Sequence, residues 1–304
     1  MAIPAAPKIC AVVVTFHPEG AVLQRLLTAL LEQVAHVVIA DNGSGYVLPA
    51  VVATLPRDRV TVLAMGENLG IAAALNRGVQ AALAQGSSHL LLSDQDSLPA
   101  PDMVASLLAA CDARQAAGER VAAVGPRFLD DRAENPPPFM RTEGLRLERL
   151  TCASRAAVLP VDYLITSGSL IPSDTWSAVG GMEESMFIDY VDYEWGMRAA
   201  SRGYRCFGVC GAGMGHALGD EPRRFAGMKV PVHSPLRHYY LFRNAIWLYR
   251  QPWVRLNWKL VDGARLLLKF GFYSLVTAPR WQHFRYMVKG VFHGLLGRMG
   301  RLDA

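Results

Sequence analysis

The sequence predicts an α/β protein in which a mostly parallel sheet is flanked by helices and followed by a basic helical segment. Short β-branched and apolar runs alternate with segments of helical period, as in proteins whose parallel strands are connected by helices. Polar clusters follow the apolar runs, and ligands bind at such strand ends in open α/β sheets. The charge is also divided unevenly along the 304 residues, which indicates a distinct C-terminal segment.

The N-terminal third shows this alternation in order. The predicted elements are a strand at 9–16, a helix at 22–34, strands at 36–40 and 60–65, a helix at 71–84 and a strand at 89–93. The first two strands end at the turn-forming sequences His17-Pro18-Glu19-Gly20 and Asp41-Asn42-Gly43-Ser44-Gly45. A proline-rich loop at 135–138 interrupts the pattern, which resumes with an apolar run at 159–165 and a helix near 193–202. Strands separated by single helices predict a parallel sheet.

The charge distribution predicts a boundary near residue 222. Residues 1–222 contain 16 Lys or Arg and 24 Asp or Glu, a net charge of −8, whereas residues 223–304 contain 15 and 2, a net charge of +13. The pattern is helical from Pro231 onward, and aromatic residues lie among the cations: Trp247, Trp253, Trp258, Phe270, Phe272, Tyr273, Trp281 and Phe284. We therefore predict a ligand-binding and catalytic domain at 1–222 and a basic, aromatic helical segment at 223–304.

An anionic membrane surface is the predicted partner of this basic segment. Nucleic acid is not predicted, because no recognisable nucleic-acid-binding motif accompanies the cations. The longest apolar run near the C-terminus, at 266–278, is interrupted by Lys269 and is shorter than the roughly 20 residues that cross a bilayer. The segment is therefore expected to lie on a membrane; the alternative is a helical cap on the sheet with a solvated cationic face.

The cysteines and the N-terminus predict a cytoplasmic protein. The five cysteines are odd in number and lack the doubled CxxC spacing of a zinc site, so reduced and mostly buried thiols are expected. The N-terminus leads directly into the first strand pattern, without the apolar stretch and cleavage site of a signal peptide.

Two carboxylates, Asp94 and Asp96, directly follow the strand predicted at 89–93. Carboxylates at a sheet edge suit Mg²⁺ or Mn²⁺, because such a cation keeps several waters and is completed by substrate phosphates. The alternative is a turn in which Asp96 caps the next helix, and for an isolated motif this would be the better interpretation.

Two further clusters follow strand ends. Asp41 ends the second strand, where its carboxylate is suited to accept a hydrogen bond from a nucleobase N–H. Asn68 and Gly70 precede the helix predicted at 71–84, where backbone N–H groups favour an anion, and Asn76 follows one and a half turns later. Ordinary turn and capping roles are the alternatives for both clusters.

Residues 186–195 contain three acids within six positions. Asp189 and Asp192 are three residues apart, so both are expected on one side of the first turn of a helix. Glu194 is four residues before Arg198, which predicts a structural ion pair. We therefore assign chemistry to Asp192 and structure to Glu194.

Together these motifs resemble the family 2 glycosyltransferases, specifically their rhamnosyltransferase branch. The resemblance covers roughly residues 8–250. Its motifs, in order, are Thr15, Asp41-Asn42-Gly43-Ser44, Asn68-Leu69-Gly70, Asn76, Asp94-Gln95-Asp96, Thr166-Ser167-Gly168-Ser169 and Phe187-Ile188-Asp189-Tyr190-Val191-Asp192-Tyr193-Glu194-Trp195. It implies a GT-A fold, a nucleotide-diphosphate-sugar donor, a divalent metal (Mg²⁺ or Mn²⁺) and inversion at the anomeric carbon.

The resemblance also implies roles for individual residues. Asp192 corresponds to the catalytic base, and Asp94 with Asp96 corresponds to the metal motif. His216 matches a position near the metal or diphosphate in related enzymes, although a lone histidine in a glycine-rich loop is more often structural. The residues implied to bind the nucleotide sugar are Thr15, Asp41 (on the base), Asn68, Gly70, Asn76, Asp94 and Gly168.

Two features of the resemblance need separate mention. Many members of the wider family carry Glu-Asp at the base position, whereas this chain has Val191-Asp192, an arrangement that the rhamnosyltransferase branch shares. The pair Arg243-Asn244 also matches the branch, but the sequence assigns it no role.

The predicted function is an inverting, metal-dependent glycosyltransferase that moves a sugar to a hydroxyl of a glycan or polyprenol-linked saccharide. Residues 223–304 are the predicted acceptor-binding element as well as the predicted membrane-surface element. The resemblance implies L-rhamnose from dTDP-L-rhamnose, in cell-surface polysaccharide synthesis at the cytoplasmic face of the inner membrane. Another dTDP- or UDP-sugar, a nucleotidyltransferase, or a non-catalytic sugar-nucleotide-binding protein are the alternatives. Residues 15–20 contain no Lys or Arg and no GxGxxG, which disfavours a nucleotidyltransferase and a dehydrogenase.

Overall fold

The computed structural model describes residues 7–45, 47–129, 138–216, 223–225, 228–230 and 233–302. The strands are β1 (Ile9–Thr15), β2 (His36–Asp41), β3 (Val60–Ala64), β4 (His89–Asp94), β5 (Ser97–Pro99), β6 (Val121–Leu129), β7 (Phe139–Glu143), β8 (Arg146–Leu150), β9 (Val158–Val161), β10 (Leu170–Pro172), β11 (Arg205–His216), β12 (Arg223–Phe225) and β13 (Met228–Val230). The helices are α1 (Gly20–Leu31), α2 (Val47–Val52), α3 (Ile71–Ala84), α4 (Met103–Ala116), α5 (Ser173–Val179), α6 (Val191–Ser201), α7 (Pro235–Tyr249), α8 (Leu256–Leu275) and α9 (Arg280–Leu296). A 3₁₀ turn at Glu184–Met186 precedes α6.

Nine of the described strands form one mostly parallel sheet, which confirms the predicted fold class. The order is β3-β2-β1-β4-β10-β6-β11-β5, with β9 paired to β11. The pairs β1–β2, β1–β4, β2–β3 and β6–β11 are parallel, whereas β10, β5 and β9 run antiparallel to their neighbours. The predicted strand at 159–165 is therefore the short antiparallel strand β9.

Period-two alternation along β1 divides the core into two layers. Cys10, Val12 and Val14 belong to one buried cluster, which also contains residues of α3, α5 and α6. The intervening Ala11 and Val13 belong to a second cluster with residues of α1, α2 and α4. Because successive side chains of a strand point to opposite faces, a continuous apolar run produces a sheet that is covered on both sides.

Helices α7 to α9 pack on the first of these layers. Phe242, Trp258, Leu266 and Met287 are buried in the same cluster as Val12. The basic segment is thus helical, as predicted, and it covers one face of the sheet. Within the described part of the chain, no helix combines the length and the apolar character needed to cross a bilayer.

The prediction of reduced thiols was wrong for two of the five cysteines. Cys152 and Cys210 form a disulfide, whereas Cys10, Cys111 and Cys206 are free and buried. The bonded pair is separated by 58 residues. Pairing of β11 with β9 brings Cys210 beside residue 157, and sequence spacing carries no sign of that contact.

Candidate active site

The ends of three adjacent parallel strands bring three predicted site residues to one edge of the sheet. In the strand register, Thr15 of β1 is paired with Asp41 of β2, and Val14 is paired with Asp94 of β4. Because the carboxyl ends of parallel strands meet at the same edge, the sheet itself positions these groups. The structure therefore brings together motifs that are up to 79 residues apart in the chain.

Asp41 is held in a defined orientation with one oxygen left over. Its Oδ1 accepts hydrogen bonds from Thr15 Oγ1 at 3.1 Å and from the backbone N–H of Ser44 at 3.0 Å. The residue is only 8% exposed. Among the described residues, no group donates to Oδ2, so this oxygen is free to accept from a ligand. This geometry suits a carboxylate that accepts a hydrogen bond from a nucleobase N–H, and that contact stays a prediction.

The loop after β2 is tied to the loop before α3 by two asparagines. Asn42 Nδ2 donates to Asn68 Oδ1 at 3.0 Å, and Asn42 Oδ1 accepts from the N–H of Leu69 at 2.8 Å. Asn68 Oδ1 also accepts from the N–H of Gly70 at 2.9 Å. Asn68 therefore stabilises the loop before α3 through its own hydrogen bonds.

Gly70 allows this loop to contact Phe187, in the segment that contains Asp189 and Asp192. Its φ is +87°, and a Cβ atom there would lie 2.6 Å from the carbonyl oxygen of Phe187. The N–H of Ile71 donates to the same carbonyl at 2.8 Å. Only glycine permits both the left-handed conformation and this close approach. The contact explains the glycine structurally, and direct ligand binding by Gly70 stays a prediction.

The turn at Asp94-Gln95-Asp96 is braced from both sides, while both carboxylates are partly exposed. The Gln95 carboxamide bonds both backbone groups of Phe16, accepting from its N–H at 2.7 Å and donating to its carbonyl at 3.1 Å. On the other side, the N–H of Asp94 donates to Ser167 Oγ at 3.1 Å. Since α4 begins at Met103 with Asp102 at its N-cap position, Asp96 is not a helix cap.

Gly168 supports the edge from beneath. Its φ is +81°, and a Cβ atom would lie 2.5 Å from Pro126 Cγ and 2.7 Å from Met214 Sδ. Its N–H donates to the carbonyl of Leu92 at 2.8 Å, directly before the Asp94 turn. The residue thus packs under the turn, and its predicted contact with a nucleotide sugar stays a prediction.

Asp192 lies in the first turn of α6, and its Oδ1 accepts the N–H of Tyr193 at 2.9 Å. Burial, with smaller contributions from the negative charges of Asp189 and Asp94, raises the pKa of the Asp192 carboxyl from the ordinary 3.8 to about 7. Asp192 also lines a small cavity together with Leu92, Thr166 and Ser169, so it lies beside the strand that ends at Asp94. A carboxyl with a pKa near neutrality is well matched to general-base work.

The backbone before Asp192 is strained. Phe187, Asp189 and Tyr190 have φ values of +66°, +63° and +63°, a region that residues other than glycine rarely occupy. Each such residue costs on the order of 1–3 kcal/mol and persists only when its surroundings impose it. The loop at 187–190 therefore requires stabilising contacts from another part of the chain.

Arg243 and Asn244 supply that support, and both are fully buried in α7. Asn244 Nδ2 donates to the carbonyls of Met186, Ile188 and Asp189 at 3.0, 2.8 and 2.8 Å. Arg243 donates to the Met186 carbonyl at 2.8 Å and, through Nε, to Asn244 Oδ1 at 2.9 Å. The structure thus gives this pair the role that the sequence left open: it fixes the loop that carries Asp192.

Helices α7 and α8 hold the same loop through two more contacts. Arg237 pairs with Asp189 at 3.2 Å, and the Tyr190 hydroxyl donates to Asp262 at 2.7 Å. The prediction that Asp189 shares the first helical turn with Asp192 was wrong, since Asp189 precedes α6 in a left-handed conformation.

The predicted ion pair on α6 is confirmed. Arg198 donates to the two carboxylate oxygens of Glu194 at 2.6 and 2.9 Å, and Glu194 is 2% exposed. The pair is structural, as the sequence spacing indicated.

Asn76 is engaged elsewhere, on the loop before the 3₁₀ turn. Its Oδ1 accepts from the N–H of Met182 at 2.7 Å, while Nδ2 donates to the Met182 carbonyl and to Glu184 at 2.9 and 2.8 Å. These bonds use the hydrogen-bonding groups of the carboxamide. Asn76 therefore stabilises this loop, and its predicted contact with the nucleotide sugar stays a prediction.

Asp94 and Asp96 are the described residues best suited to a hard cation. Strand pairing places the backbone of His216 opposite Ser97, immediately after the Asp96 turn, but the His216 side chain lies outside the described residues. Over the described ranges, no cluster of three or more His, Cys, Asp or Glu is placed to hold a metal. Two carboxylates suffice when phosphates and waters complete the coordination, so the donor set fits Mg²⁺ or Mn²⁺.

Comparison with known proteins identifies the family of this chain. The model of the family described as "Glycosyl transferase family 2" matches residues 11–164. A dTDP-rhamnosyl transferase, RfbF of Shigella flexneri, is 31% identical over 295 residues, which cover 96% of each chain. An N-acetylglucosaminyl-diphospho-decaprenol L-rhamnosyltransferase of Mycobacterium tuberculosis is 28% identical over 284 residues, covering 82% of this chain and 88% of that protein.

The fold is likewise shared with solved glycosyltransferases. The crystal structure of GalNAc-T7 with UDP, GalNAc and Mn²⁺ superposes with a TM-score of 0.58 and 13% sequence identity. The superposition covers 86% of this chain and 55% of that one. At this identity the likeness establishes the architecture, which is the GT-A arrangement.

Proposed function

The chain belongs to glycosyltransferase family 2, and from that membership we propose that it transfers L-rhamnose from dTDP-L-rhamnose to a hydroxyl of a glycan or lipid-linked saccharide, with inversion. The observation that carries the proposal is that Asp41 and Asp94 end strands on either side of β1, while Asp192 lines a cavity with Leu92 of the strand that ends at Asp94. The choice of rhamnose is supported by the relatives named for that sugar.

In the proposed reaction, Asp192 accepts the proton of the acceptor hydroxyl while that oxygen attacks the anomeric carbon. The bond from this carbon to the nucleoside diphosphate breaks on the opposite face, which inverts the configuration. Asp41 orients the nucleobase through its free Oδ2. General-base catalysis of this kind contributes about 10²- to 10⁴-fold.

We infer that Asp94 and Asp96 hold Mg²⁺ or Mn²⁺. When bound, such a cation neutralises the charge that develops on the departing diphosphate. The Gln95 and Ser167 contacts keep the two carboxylates in place for it. The structurally similar GalNAc-T7 was crystallised with Mn²⁺, which supports the use of a divalent cation.

A donor panel tests the proposal. Among dTDP-, UDP- and GDP-sugars, dTDP-L-rhamnose with Mn²⁺ is expected to give the largest thermal stabilisation, since a ligand at 100 times its Kd stabilises the folded state by about 2.7 kcal/mol. EDTA and Asp96→Ala should each remove the part of this thermal stabilisation that depends on the metal. Asp102→Ala, which changes an exposed acid at the start of α4, is the matched control. Preference for a UDP-sugar would refute the donor assignment, and indifference to EDTA would refute the metal.

We further propose that residues 223–304 contact an anionic membrane, with the enzyme acting at the cytoplasmic face of the inner membrane. Residues 256–302 contain eight Lys or Arg and one acid, the buried Asp262. Large apolar side chains of α8 and α9 are exposed to solvent: Leu256, Leu260, Leu267, Leu268, Leu275, Trp281, Val288, Phe292, Leu295 and Leu296. An exposed apolar surface surrounded by cations matches an interfacial helix.

Flotation with liposomes tests the membrane contact. Wild-type protein is expected to float with vesicles that contain anionic lipid, and Leu267→Asp/Leu268→Asp should remain at the bottom of the gradient. Both leucines are 75% exposed, so the change should leave the fold intact. Leu145→Asp, at a leucine that is 67% exposed between β7 and β8, is the control and should float normally. Absence of flotation with wild type would favour a purely structural cap, and equal flotation of all three proteins would show that the exposed leucines of α8 do not make the contact.

A further inference from the structure

Helix α8 has two chemically different faces. Asp262, Leu266 and Tyr273 are buried on one face, with spacings of four and seven residues. On the opposite face, Leu267 and Leu268 are each 75% exposed. Residues three, four and seven apart lie on the same side of a helix, so the two faces are continuous strips along α8.

The buried face is attached to the loop that carries the catalytic base. Asp262 accepts hydrogen bonds from the hydroxyls of Tyr190 and Tyr249 at 2.7 and 2.6 Å. Tyr190 lies two residues before Asp192, in the strained part of that loop. The inner side of α8 is therefore a wall of the space beside Asp192.

Two cations lie beside this inner face, of which Lys269 is half-buried and Arg265 is exposed. Arg265 and Lys269 follow Asp262 by three and seven residues, and they are four apart. Their side chains form no ion pair and no hydrogen bond with any part of the chain that the structure describes. Lys269 is half-buried, with the charges of Asp189 and Asp262 nearby. Burial raises the pKa of the Tyr163 hydroxyl to about 12, and the positive charge of Arg265 acts in the opposite direction. The ring of Tyr163 stacks on that of Tyr193 with centroids 3.8 Å apart.

Burial of Lys269 without a direct ion pair or hydrogen bond among the described residues is costly, and an anionic ligand would offset that cost. The donor diphosphate is assigned to the Asp94 turn, so a different anion is needed at α8. The neighbouring strip of exposed leucines indicates that this anion carries an apolar chain. A lipid diphosphate combines both properties.

We propose that Arg265 and Lys269 form a binding subsite for the diphosphate of a lipid-linked acceptor, whose apolar chain follows the outer leucines of α8. The acceptor saccharide on that diphosphate then lies beside Asp192. This inference rests on the proposed glycosyltransferase function, because it names the acceptor of that same site.

Calorimetric titration with farnesyl diphosphate tests the subsite without relying on turnover. In Arg265→Gln/Lys269→Gln, its Kd is expected to rise at least about tenfold, since charge-assisted hydrogen bonds contribute roughly 1.5–3 kcal/mol each and tenfold is about 1.4 kcal/mol. The matched control is Arg285→Gln/Lys289→Gln, which removes the same charge at the same spacing from α9. It should keep the wild-type Kd.

Three further titrations separate the outcomes. Inorganic diphosphate should bind more weakly than farnesyl diphosphate but show the same loss in Arg265→Gln/Lys269→Gln, while farnesol should not distinguish the variants. Equal weakening in both double variants would mean non-specific attraction and would overturn the subsite, as would an unchanged Kd in the α8 variant. Titration with dTDP should be the same in all proteins; failure of dTDP to bind wild type would instead refute the proposed donor.

Discussion

Asp192→Asn is expected to lower the rate of sugar transfer by about 10²- to 10⁴-fold while leaving donor binding unchanged. The amide cannot accept the proton of the acceptor hydroxyl, yet it has the shape of the carboxyl and keeps the bond from the Tyr193 N–H. Transfer is measured with saturating donor, and the Kd of dTDP-L-rhamnose by calorimetry. Asp189→Asn serves as the comparison, because that carboxylate is engaged by Arg237. A transfer rate within twofold of wild type would show that another group is the base.

The pH profile gives an independent check on the same residue. Because the base must be ionised and burial raises the pKa of Asp192 to about 7, kcat/KM is expected to rise with pH up to about 7 and to level off above it. The slope below the midpoint should be about tenfold per pH unit. The residual activity of Asp192→Asn should lack this step, and a profile that keeps it would assign the titration to a different group.

Asn244→Ala is expected to damage both stability and turnover. It leaves the carbonyls of Ile188 and Asp189 without their buried donor and takes the Asn244 Oδ1 acceptor from Arg243, and unsatisfied buried groups cost about 1–3 kcal/mol each. The Met186 carbonyl keeps its bond from Arg243. We expect the free energy of unfolding to fall by about 3 kcal/mol or more. Without the support, the strained backbone before Asp192 relaxes, and displacement of a catalytic group by about 1 Å can cost on the order of 10²-fold in rate.

The measurement that separates catalysis from stability is made well below the Tm of the variant. There kcat should fall by about tenfold to a hundredfold with little change in the donor KM, because the Asp41 and Asp94 side of the site does not contact Asn244. Gln251→Ala is the control: it removes a partly buried amide just beyond the end of α7 that donates only to the Trp247 carbonyl. Folded Asn244→Ala with normal kcat would limit the residue to a packing role.

The first half of the sheet was predictable because its signals are local. In β1 and β4, unbroken apolar runs coincide with strands, and α3 was predicted with its observed limits of 71–84. Strand β11 was missed because four glycines at 208–215 remove the apolar pattern. Its twelve residues form a strand through pairing with β6 and β9, and that pairing is long-range.

The candidate site likewise contains residues that the sequence predicted and contacts that it did not. Asp41, Asp94 and Asp192 were predicted as site residues because turn chemistry and acids recur at strand and helix ends. The support around Asp192 was not, since Asn244 acts on carbonyls 55–58 residues away and backbone carbonyls carry no sequence signal. An adjacent Arg and Asn inside an apolar helix was the only available sign, because fully buried polar side chains require partners. Cys152 and Cys210 escaped prediction for the same reason, as their contact depends on strand pairing.

The support of the strained loop by α7 constrains how related enzymes can be recombined. A chimera joined near residue 222 would combine residues 1–222 of one parent with the Arg243-Asn244 pair of another. The carbonyls at 186–189 would then not match the donors at 243–244 unless both parents share that geometry. Exchange of acceptor specificity should therefore move 183–192 together with the helices that follow. Helix α7 and the loop at 186–189 thus form one structural unit that any such exchange must keep intact.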